Sequence, residues 1–243
     1  MDKQCYLIID IGNSRIKLAV FRDDQIVFHK SYDKVLVRDL NAIRKKYPFD
    51  NAIYSSVRKS QPGFVQHLKK NYHLLQLTSR TKIPVKNNYK TPGTLGMDRL
   101  ATVIAANDMY PGKNNLVIDM GTCLKYDFVD KKGVYHGGNI APGLEMRLES
   151  MHILTSKLPR VKRALPKELL GKTTREAMQN GAVLGIKLEI ERFIKTLTAE
   201  RGKINTILTG GDSKYFGEIL ESKIFVLPEL VLFGLYKALR YNL

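Results

Sequence analysis

Two stretches of this sequence, residues 7–20 (LIIDIGNSRIKLAV) and 116–129 (LVIDMGTCLKYDFV), each place an aspartate at the end of an apolar run. In each stretch a glycine follows two residues later, which permits a tight turn and lets a ligand approach the backbone closely. Exposed N–H groups in such a turn can donate to phosphate oxygens. Asp10 and Asp119 would hold a hard cation such as Mg²⁺ directly or through water. These residue types therefore favour the binding of a metal-bound phosphate.

Other side chains around the two turns suit the same ligand. Asn13, Ser14 and Thr122 can donate hydrogen bonds to phosphate oxygens, and Lys17 on the return strand can add a positive charge. Asp-Gly hairpin turns without any ligand are the structural alternative for either turn alone. Because the second half of the chain repeats the turn in the same register without a gap, we favour phosphate binding.

A third candidate group is Asp98, which lies in the sequence TPGTLGMDRL. In the first turn of a predicted helix, a carboxylate is favoured by the helix dipole alone. The functional alternative is a general base, because phosphoryl transfer needs a group that orients the attacking hydroxyl and accepts its proton. The adjacent Arg99 could bind a substrate carboxylate through two hydrogen bonds, or form a surface ion pair.

Two glycine-rich segments could bring backbone close to a ligand. The segment GGNIAPG at residues 137–143 connects a strand to a helix, and its two leading glycines predict a close backbone approach. The segment LTGGDS at residues 208–213 predicts a turn that could lie beneath a nucleotide base or ribose. The sequence has no G-x-x-x-x-G-K-[ST] loop and no G-x-S-x-G motif, so neither a P-loop mechanism nor that hydrolase mechanism is supported.

Composition limits the class of protein only broadly. The chain has 243 residues, 44% of them hydrophobic, which suffices for one large domain or two smaller ones. No signal peptide or membrane-spanning run is predicted, so we expect a cytoplasmic protein. The net charge of +17 allows a nucleic acid, an acidic surface or a polyanionic small substrate as partner. Most basic residues occur in short clusters typical of solvated surfaces.

The elements that must position these residues follow a repeated order. Each half is predicted to contain three antiparallel strands followed by alternating helices and strands. The segment YPGKNN divides the halves, so we predict domains at residues 1–112 and 113–243 with a cleft between them. In the first half we predict strands at residues 5–11, 15–21, 25–30, 51–57 and 72–77, helices at 38–46, 62–71 and 97–109, and a loop at 80–95. In the second half, after the repeated hairpin, we predict strands at 134–140, 204–209 and 223–227, helices at 143–154 and 174–198, a short helix after residue 211 and a final helix from residue 228.

The duplicated Asp-X-Gly hairpin resembles the superfamily of actin, the sugar and acetate kinases and the heat-shock ATPases. Those proteins bind ATP between two RNase-H-like domains. Within the superfamily this chain resembles the type III pantothenate kinases over nearly its whole length. The motifs that carry the resemblance are Asp-X-Gly-Asn-(Thr/Ser)-X-X-Lys at 10–17, Gly-X-Asp-Arg at 96–99, Asp-X-Gly-Thr at 119–122, Gly-Gly-X-Ile-X-Pro-Gly at 137–143, Thr-X-X-Ala at 174–177, Thr-Gly-Gly at 209–211 and Pro-X-Leu-Val-Leu-X-Gly-Leu at 228–235.

The resemblance implies an α/β fold of duplicated RNase-H-like (actin-like ATPase) domains and a reaction in which ATP phosphorylates the primary hydroxyl of pantothenate, the first step to coenzyme A. It implies Asp98 as the base, Asp10 at the magnesium, Asp119 at a monovalent cation such as K⁺ or NH₄⁺, and a homodimer. The implied ATP-binding residues are Asp10, Ile11, Gly12, Asn13, Ser14, Arg15, Ile16, Lys17 and Thr122. The implied pantothenate-binding residues are Tyr89, Gly96, Met97, Asp98, Arg99 and Thr174.

This chain departs from the family pattern beside the second turn. Many members have Ala directly after Asp-X-Gly-Thr and Thr two places later, where this chain has Cys123 and Lys125. The Lys125 ammonium could replace or repel a monovalent cation, and the sequence leaves both outcomes open. Two other functions also stay open: a nucleic-acid-binding regulator that retains the scaffold, and a kinase of the same fold for another small alcohol.

Overall fold

A computed structural model describes residues 4–58 and 62–243. The first three residues, part of the segment from which no signal peptide was predicted, lie outside the described ranges. Within the described ranges, no helix is both long and apolar enough to cross a bilayer. The strands are β1 (Cys5–Ile11), β2 (Ile16–Arg22), β3 (Gln25–Tyr32), β4 (Phe49–Ser56), β5 (His73–Gln76), β6 (Lys86–Asn87), β7 (Asn114–Met120), β8 (Cys123–Val129), β9 (Val134–Gly137), β10 (Ile140–Pro142), β11 (Ile204–Thr209) and β12 (Ile224–Val226). The helices are α1 (Val37–Lys46), α2 (Pro62–Asn71), α3 (Met97–Met109), α4 (Leu144–Ile153), α5 (Thr174–Arg201), α6 (Ser213–Gly217) and α7 (Leu230–Tyr241), with a 3-10 turn at Pro92–Thr94.

The chain packs as two compact units. Unit 1 contains the residues up to Pro111 together with Gly133–Tyr135 and Glu229–Leu243. Unit 2 contains Gly112–Lys132 and His136–Pro228. The domain boundary between residues 112 and 113 stays a prediction, and the compact units differ from it mainly because the last helix groups with unit 1.

The sheet of unit 1 has the strand order β3-β2-β1-β4-β5. Strands β1, β2 and β3 are antiparallel neighbours, whereas β4 and β5 continue the sheet in parallel with β1. Every residue of β1 is buried, which agrees with its nearly continuous apolar sequence. The end of this central strand therefore delivers Asp10 between one antiparallel and one parallel neighbour.

Unit 2 repeats this arrangement around β7. Strand β8 pairs with β7 in antiparallel fashion, whereas β11 pairs with β7 and β12 pairs with β11 in parallel. The short strand β10 adds to the other edge of β8. The predicted duplicated α/β fold is confirmed by this repetition, because each unit has an aspartate-ended central strand with the same two kinds of neighbour.

The predicted third strand of the second half, residues 134–140, was wrong as a single element. The structure breaks it into β9 and β10 at two glycines. Gly137 has a φ of +94°, and a Cβ on Gly138 would lie only 1.6 Å from the carbonyl oxygen of Tyr126. The close backbone approach predicted for this glycine pair is thus present, and it is the cause of the break. The predicted loop at 80–95 also contains the short strand β6, which pairs in parallel with β9.

Helices α3 and α7 pack so closely that one position must be glycine. A Cβ on Gly234 of α7 would lie 1.7 Å from the carbonyl oxygen of Ala101 on α3. Beside this contact the rings of Phe21 and Tyr236 stack with centroids 4.4 Å apart. The closeness of the two helices explains why the C-terminal helix belongs to unit 1.

We predict that Gly234→Ala destabilises the protein by about 1–3 kcal/mol, because the added methyl group meets backbone atoms that cannot rotate away. The matched control is Gly181→Ala in α5, where a Cβ would have no neighbour within 4 Å. There the better helix propensity of alanine should stabilise by roughly 0.5–1 kcal/mol. Denaturant unfolding of both variants measures the difference, and equal stabilities would contradict the close packing.

Candidate active site

Asp10 is held at the end of β1 by a hydroxyl from the parallel neighbour. Asp10 is only 8% exposed, and its Oδ1 accepts a 2.9 Å hydrogen bond from Ser55 Oγ. Ser55 is the register partner of Asp10 on β4 and is fully buried. The donor chemistry fits Mg²⁺, which binds through one or two carboxylates together with phosphate oxygens and water. Ser55 could not be identified from the sequence, because its contact with Asp10 depends on which strand lies beside β1.

Lys17, the register partner of Asp10 on β2, has a carboxylate partner of its own. Its Nζ lies 3.2 Å from Glu229 Oε2, and His29 Nε2 lies 3.4 Å from the same oxygen. Glu229 directly precedes α7, so the late helix contributes to the surroundings of the first turn. No local sequence pattern could have identified Glu229, since it is separated from Lys17 by 212 residues.

The turn after β1 exposes the polar side chains that were predicted to bind phosphate. The N–H of Gly12 donates to the carbonyl of Arg15 at 2.9 Å, which closes the turn. Arg58 donates to the carbonyl of Asn13 at 3.1 Å, while the side chains of Asn13 and Ser14 are exposed. Free access to these side chains is what a phosphate-binding turn requires.

Two members of the predicted ATP-binding run lie in the hydrophobic core instead. Ile11 and Ile16 are 2% and 4% exposed and pack with the apolar face of the first sheet. They pair with each other across the hairpin, so they fix the ends of the turn. Any contact that they make with a nucleotide would therefore use their backbone atoms.

Asp98 lies in the first turn of α3, as predicted, and its carboxylate lies beside a glycine. Asp98 Oδ1 accepts a 2.9 Å hydrogen bond from the N–H of Arg99. A Cβ on Gly96 would lie only 2.5 Å from the same oxygen. The carboxylate can occupy this position because glycine has no side chain. This contact explains why residue 96 is a glycine, which the sequence alone did not explain.

Arg99 is not a surface residue, so the surface ion pair considered from the sequence was wrong. The residue is only 4% exposed, and its guanidinium carbon lies 5.5 Å from the centre of the Tyr89 ring. Tyr89 in turn stacks on Tyr135 with the two ring planes 7° apart. A guanidinium over an aromatic ring gains a favourable cation–π contact, which helps to hold Arg99 in the interior.

A cavity of about 390 Å³ in unit 1 lies at the start of α3. It is lined by Gly96 and Met97 at the start of α3 and by Val57 after β4. The N–H of Val57 donates to the carbonyl of Ile11 at 3.1 Å, so the cavity borders the first turn as well. Of the sequence-predicted residues, Gly96 and Met97 line this cavity.

Three motifs that the sequence singled out converge in unit 2. A Cβ on Gly143 would lie 2.3 Å from the carbonyl oxygen of Gly121, and one on Gly210 would lie 2.5 Å from Asp119 Oδ1. Gly210 also has a φ of +90°, a conformation that favours glycine. The glycines that follow β10 and β11 therefore allow both loops to pack against the second Asp-X-Gly turn. Thr122 is exposed in that turn.

The carboxylate of Asp119 already has a cation, supplied by the protein. Lys125 Nζ donates to Asp119 Oδ2 at 2.6 Å, and the side chains are 17% and 18% exposed. The two residues face each other across the β7–β8 pair. Since this oxygen is bound to an ammonium group, the residues here do not fit a free K⁺ or NH₄⁺ at the same oxygen.

A buried polar network missed by the sequence analysis supports β8 from α5. The Tyr126 hydroxyl donates to Glu189 Oε1 at 2.9 Å, and Arg147 Nη2 lies 2.5 Å from Glu189 Oε2. Burial and the nearby carboxylate raise the pKa of the Tyr126 phenol, so the hydroxyl stays a donor. Arg147 also donates to the carbonyl of Pro142 at 2.9 Å, which ties the Gly143 loop to the same network.

The remaining predicted substrate residue, Thr174, lies in unit 2 as the first residue of α5. The helix begins with a capping box in which Thr173 and Glu176 satisfy each other's backbone N–H groups. Thr174 itself is exposed, whereas the other predicted substrate residues lie in unit 1.

The fold is shared with solved structures at low sequence identity. A protein from Campylobacter jejuni, described as a candidate Baf family transcriptional activator, matches with a TM-score of 0.63 and 20% identity. The match covers 97% of this chain and 98% of the other. Identity at this level shows the common fold and nothing about the function of either protein.

Sequence comparison identifies a family. A family model described as type III pantothenate kinase matches residues 6–196. A type III pantothenate kinase of Phocaeicola vulgatus is 41% identical over 97% of this chain and 98% of its own length. One of Bacteroides fragilis strain YCH46 is 43% identical with the same two coverages. With these matches over nearly its full length, and with both Asp-X-Gly turns in place, the chain belongs to the type III pantothenate kinase family.

Proposed function

We propose that this protein transfers the γ-phosphoryl group of ATP to the primary hydroxyl of pantothenate, which gives 4'-phosphopantothenate in the first step of coenzyme A biosynthesis. Family membership supports the reaction. The structural observation that supports its site is the Asp98 carboxylate at the start of α3, held against Gly96 on the wall of the unit 1 cavity. A carboxylate beside a cavity can accept a proton from a bound hydroxyl.

In this proposal each Asp-X-Gly turn, taken by itself, is a turn that binds phosphate. Magnesium neutralises charge on phosphate oxygens, and Asp10 is the carboxylate that would hold it, with Ser55 fixing the orientation of that carboxylate. Lys17 contributes a positive charge whose position is held by Glu229. The exposed side chains of Ser14 and Thr122 donate hydrogen bonds to phosphate oxygens.

Pantothenate binds at the start of α3. Asp98 orients the attacking hydroxyl and takes its proton as the oxygen–phosphorus bond forms. In the proposal the guanidinium of Arg99, which lies 5.5 Å from the centre of the Tyr89 ring, binds the substrate carboxylate through parallel hydrogen bonds. The position of the arginine beside the base gives the site a preference for an alcohol that also carries a carboxylate.

The proposal also includes the quaternary structure and location expected from the family resemblance, a homodimer in the cytoplasm. Light scattering of the purified protein and cell fractionation test these two points. A K⁺ or NH₄⁺ ion at Asp119 belongs to the same expectation, and the Lys125 ammonium at 2.6 Å is the observation that opposes it. A nucleic-acid-binding regulator and a kinase for another alcohol are not favoured by the family assignment.

The reaction is tested by ADP release from purified protein with ATP and Mg²⁺, with and without pantothenate. We expect turnover only when pantothenate is present, and mass spectrometry should identify 4'-phosphopantothenate as the product. Other small alcohols with and without a carboxylate serve as competing acceptors. Absence of pantothenate-dependent turnover, or faster turnover of another alcohol, would contradict the proposal.

We predict that Asp98→Asn lowers kcat by about a hundred- to ten-thousand-fold, because the amide cannot accept the proton of the attacking hydroxyl. Binding of ATP, measured by calorimetry, should change little. The matched control is Asp108→Asn at the other end of α3, where the carboxylate lies 3.3 Å from Lys237. An unchanged kcat in Asp98→Asn would remove this residue from the mechanism.

We predict that Asp10→Asn raises the Mg²⁺ concentration needed for half-maximal turnover, because a neutral amide binds a hard cation weakly. The control is Asp50→Asn, whose exposed carboxylate pairs with Arg44 at 2.7 Å. Turnover is measured as a function of total Mg²⁺ at fixed ATP. Identical Mg²⁺ curves for Asp10→Asn and the wild type would exclude Asp10 from the magnesium site.

A further inference from the structure

The hairpins of the two units differ by one residue, and the difference changes the partner of the second aspartate. In unit 1, Asp10 faces Lys17 across the strand pair. A gapless alignment of the two stretches would match Lys17 with Tyr126. In the structure, however, Asp119 faces Lys125, because the second turn is shorter. Both hairpins therefore have a lysine directly opposite the aspartate, although the second lysine lies one position earlier in the sequence.

The two lysines form ion pairs with different carboxylates. Lys17 Nζ lies 3.2 Å from Glu229, whereas Lys125 Nζ lies 2.6 Å from the facing Asp119. Directly facing residues of an antiparallel pair are close enough for such a contact. At 2.6 Å between an ammonium and a carboxylate, the hydrogen bond is charge-assisted and short. The positive charge at Asp119 is thus a permanent part of strand β8.

Both carboxylate oxygens of Asp119 have close neighbours, which restricts the access of a free cation. Oδ2 is bound to Lys125, and Oδ1 lies so close to Gly210 that a Cβ there would be 2.5 Å away. The polar network of Tyr126, Glu189 and Arg147 holds the next residue of β8 in place. Because like charges repel, a free monovalent cation at Oδ2 would have to displace the ammonium group.

We infer that the Lys125 ammonium occupies the position of the monovalent cation at Asp119, so that this protein works without free K⁺ or NH₄⁺. A lysine ammonium carries the same single charge as those ions and can donate up to three hydrogen bonds. The inference rests on the proposed function for its catalytic consequence. Its binding consequence, that the folded protein has no K⁺-specific site at Asp119, does not.

The first test measures the melting temperature of the protein in KCl, NH₄Cl and choline chloride at equal ionic strength, both without ligands and with ATP and Mg²⁺. We expect equal melting temperatures for the wild type in all three salts. In Lys125→Ala, KCl and NH₄Cl should raise the melting temperature above its value in choline chloride, because the carboxylate then lacks its cation. Lys125→Met keeps the bulk of the side chain and should behave in the same way if the alanine variant does not fold.

The matched control is Lys187→Ala on α5. Lys187 Nζ also lies 2.6 Å from a carboxylate, that of Glu221, but away from both Asp-X-Gly turns. Loss of this pair should not create any response to K⁺. A general effect of removing a lysine ion pair is thereby separated from an effect specific to Asp119.

The second test measures pantothenate-dependent turnover in the same salts. We expect wild-type turnover to be independent of the cation, whereas Lys125→Ala should lose about tenfold or more in choline chloride and recover part of it in KCl. A wild type whose melting temperature or turnover rises specifically with K⁺ would overturn the inference. So would a Lys125→Ala or Lys125→Met variant without any K⁺ response of the melting temperature. If no protein turns over pantothenate, the proposed function fails, while the melting temperatures still decide the role of Lys125.

Discussion

A carboxylate withdrawn from water at the end of a central strand costs free energy unless hydrogen bonds or an opposite charge meet it, and each unit of this protein has such an aspartate, buried in unit 1 and partly buried in unit 2. The strand order supplies the partners. In unit 1 the parallel neighbour β4 presents Ser55 to Asp10. In unit 2 the antiparallel neighbour β8 presents Lys125 to Asp119, and the parallel neighbour β11 leads into Gly210 beside the same carboxylate. Sheet register therefore decides what each aspartate can bind.

The two hairpins share an aspartate near the end of the first strand and a lysine facing it, but they differ in the length of the turn and in their ion pairs. Asp10 accepts a hydrogen bond from the Ser55 hydroxyl, whereas Asp119 forms an ion pair with Lys125. The lysine of the first hairpin is balanced instead by Glu229. The two Asp-X-Gly turns therefore have different charge arrangements around their aspartates.

The sequence predicted most of the secondary structure because local signals were strong. The apolar run before Asp10 and the helix beginning at Met97 agree with β1 and α3. Residues that act across strands or over long separations were not predictable, since Ser55 and Glu229 are identified only by register and by the packing of α7. The single strand predicted for residues 134–140 failed because the contact between Gly138 and Tyr126 is tertiary. Of the proposed site, the motif residues were predictable, whereas their partners were not.

The packing of α7 on α3 has a consequence for the order in which the chain matures during translation. A ribosome releases the strands β1 to β5 first and α7 last, but unit 1 needs Gly234 against Ala101 and Tyr236 against Phe21. Unit 2 is enclosed in the chain between those two parts of unit 1 and ends at Pro228. Domains usually fold from the N-terminus onward as they are made. Here the N-terminal unit is synthesised first and completed last, so the nascent chain carries an unfinished apolar surface until its final helix emerges.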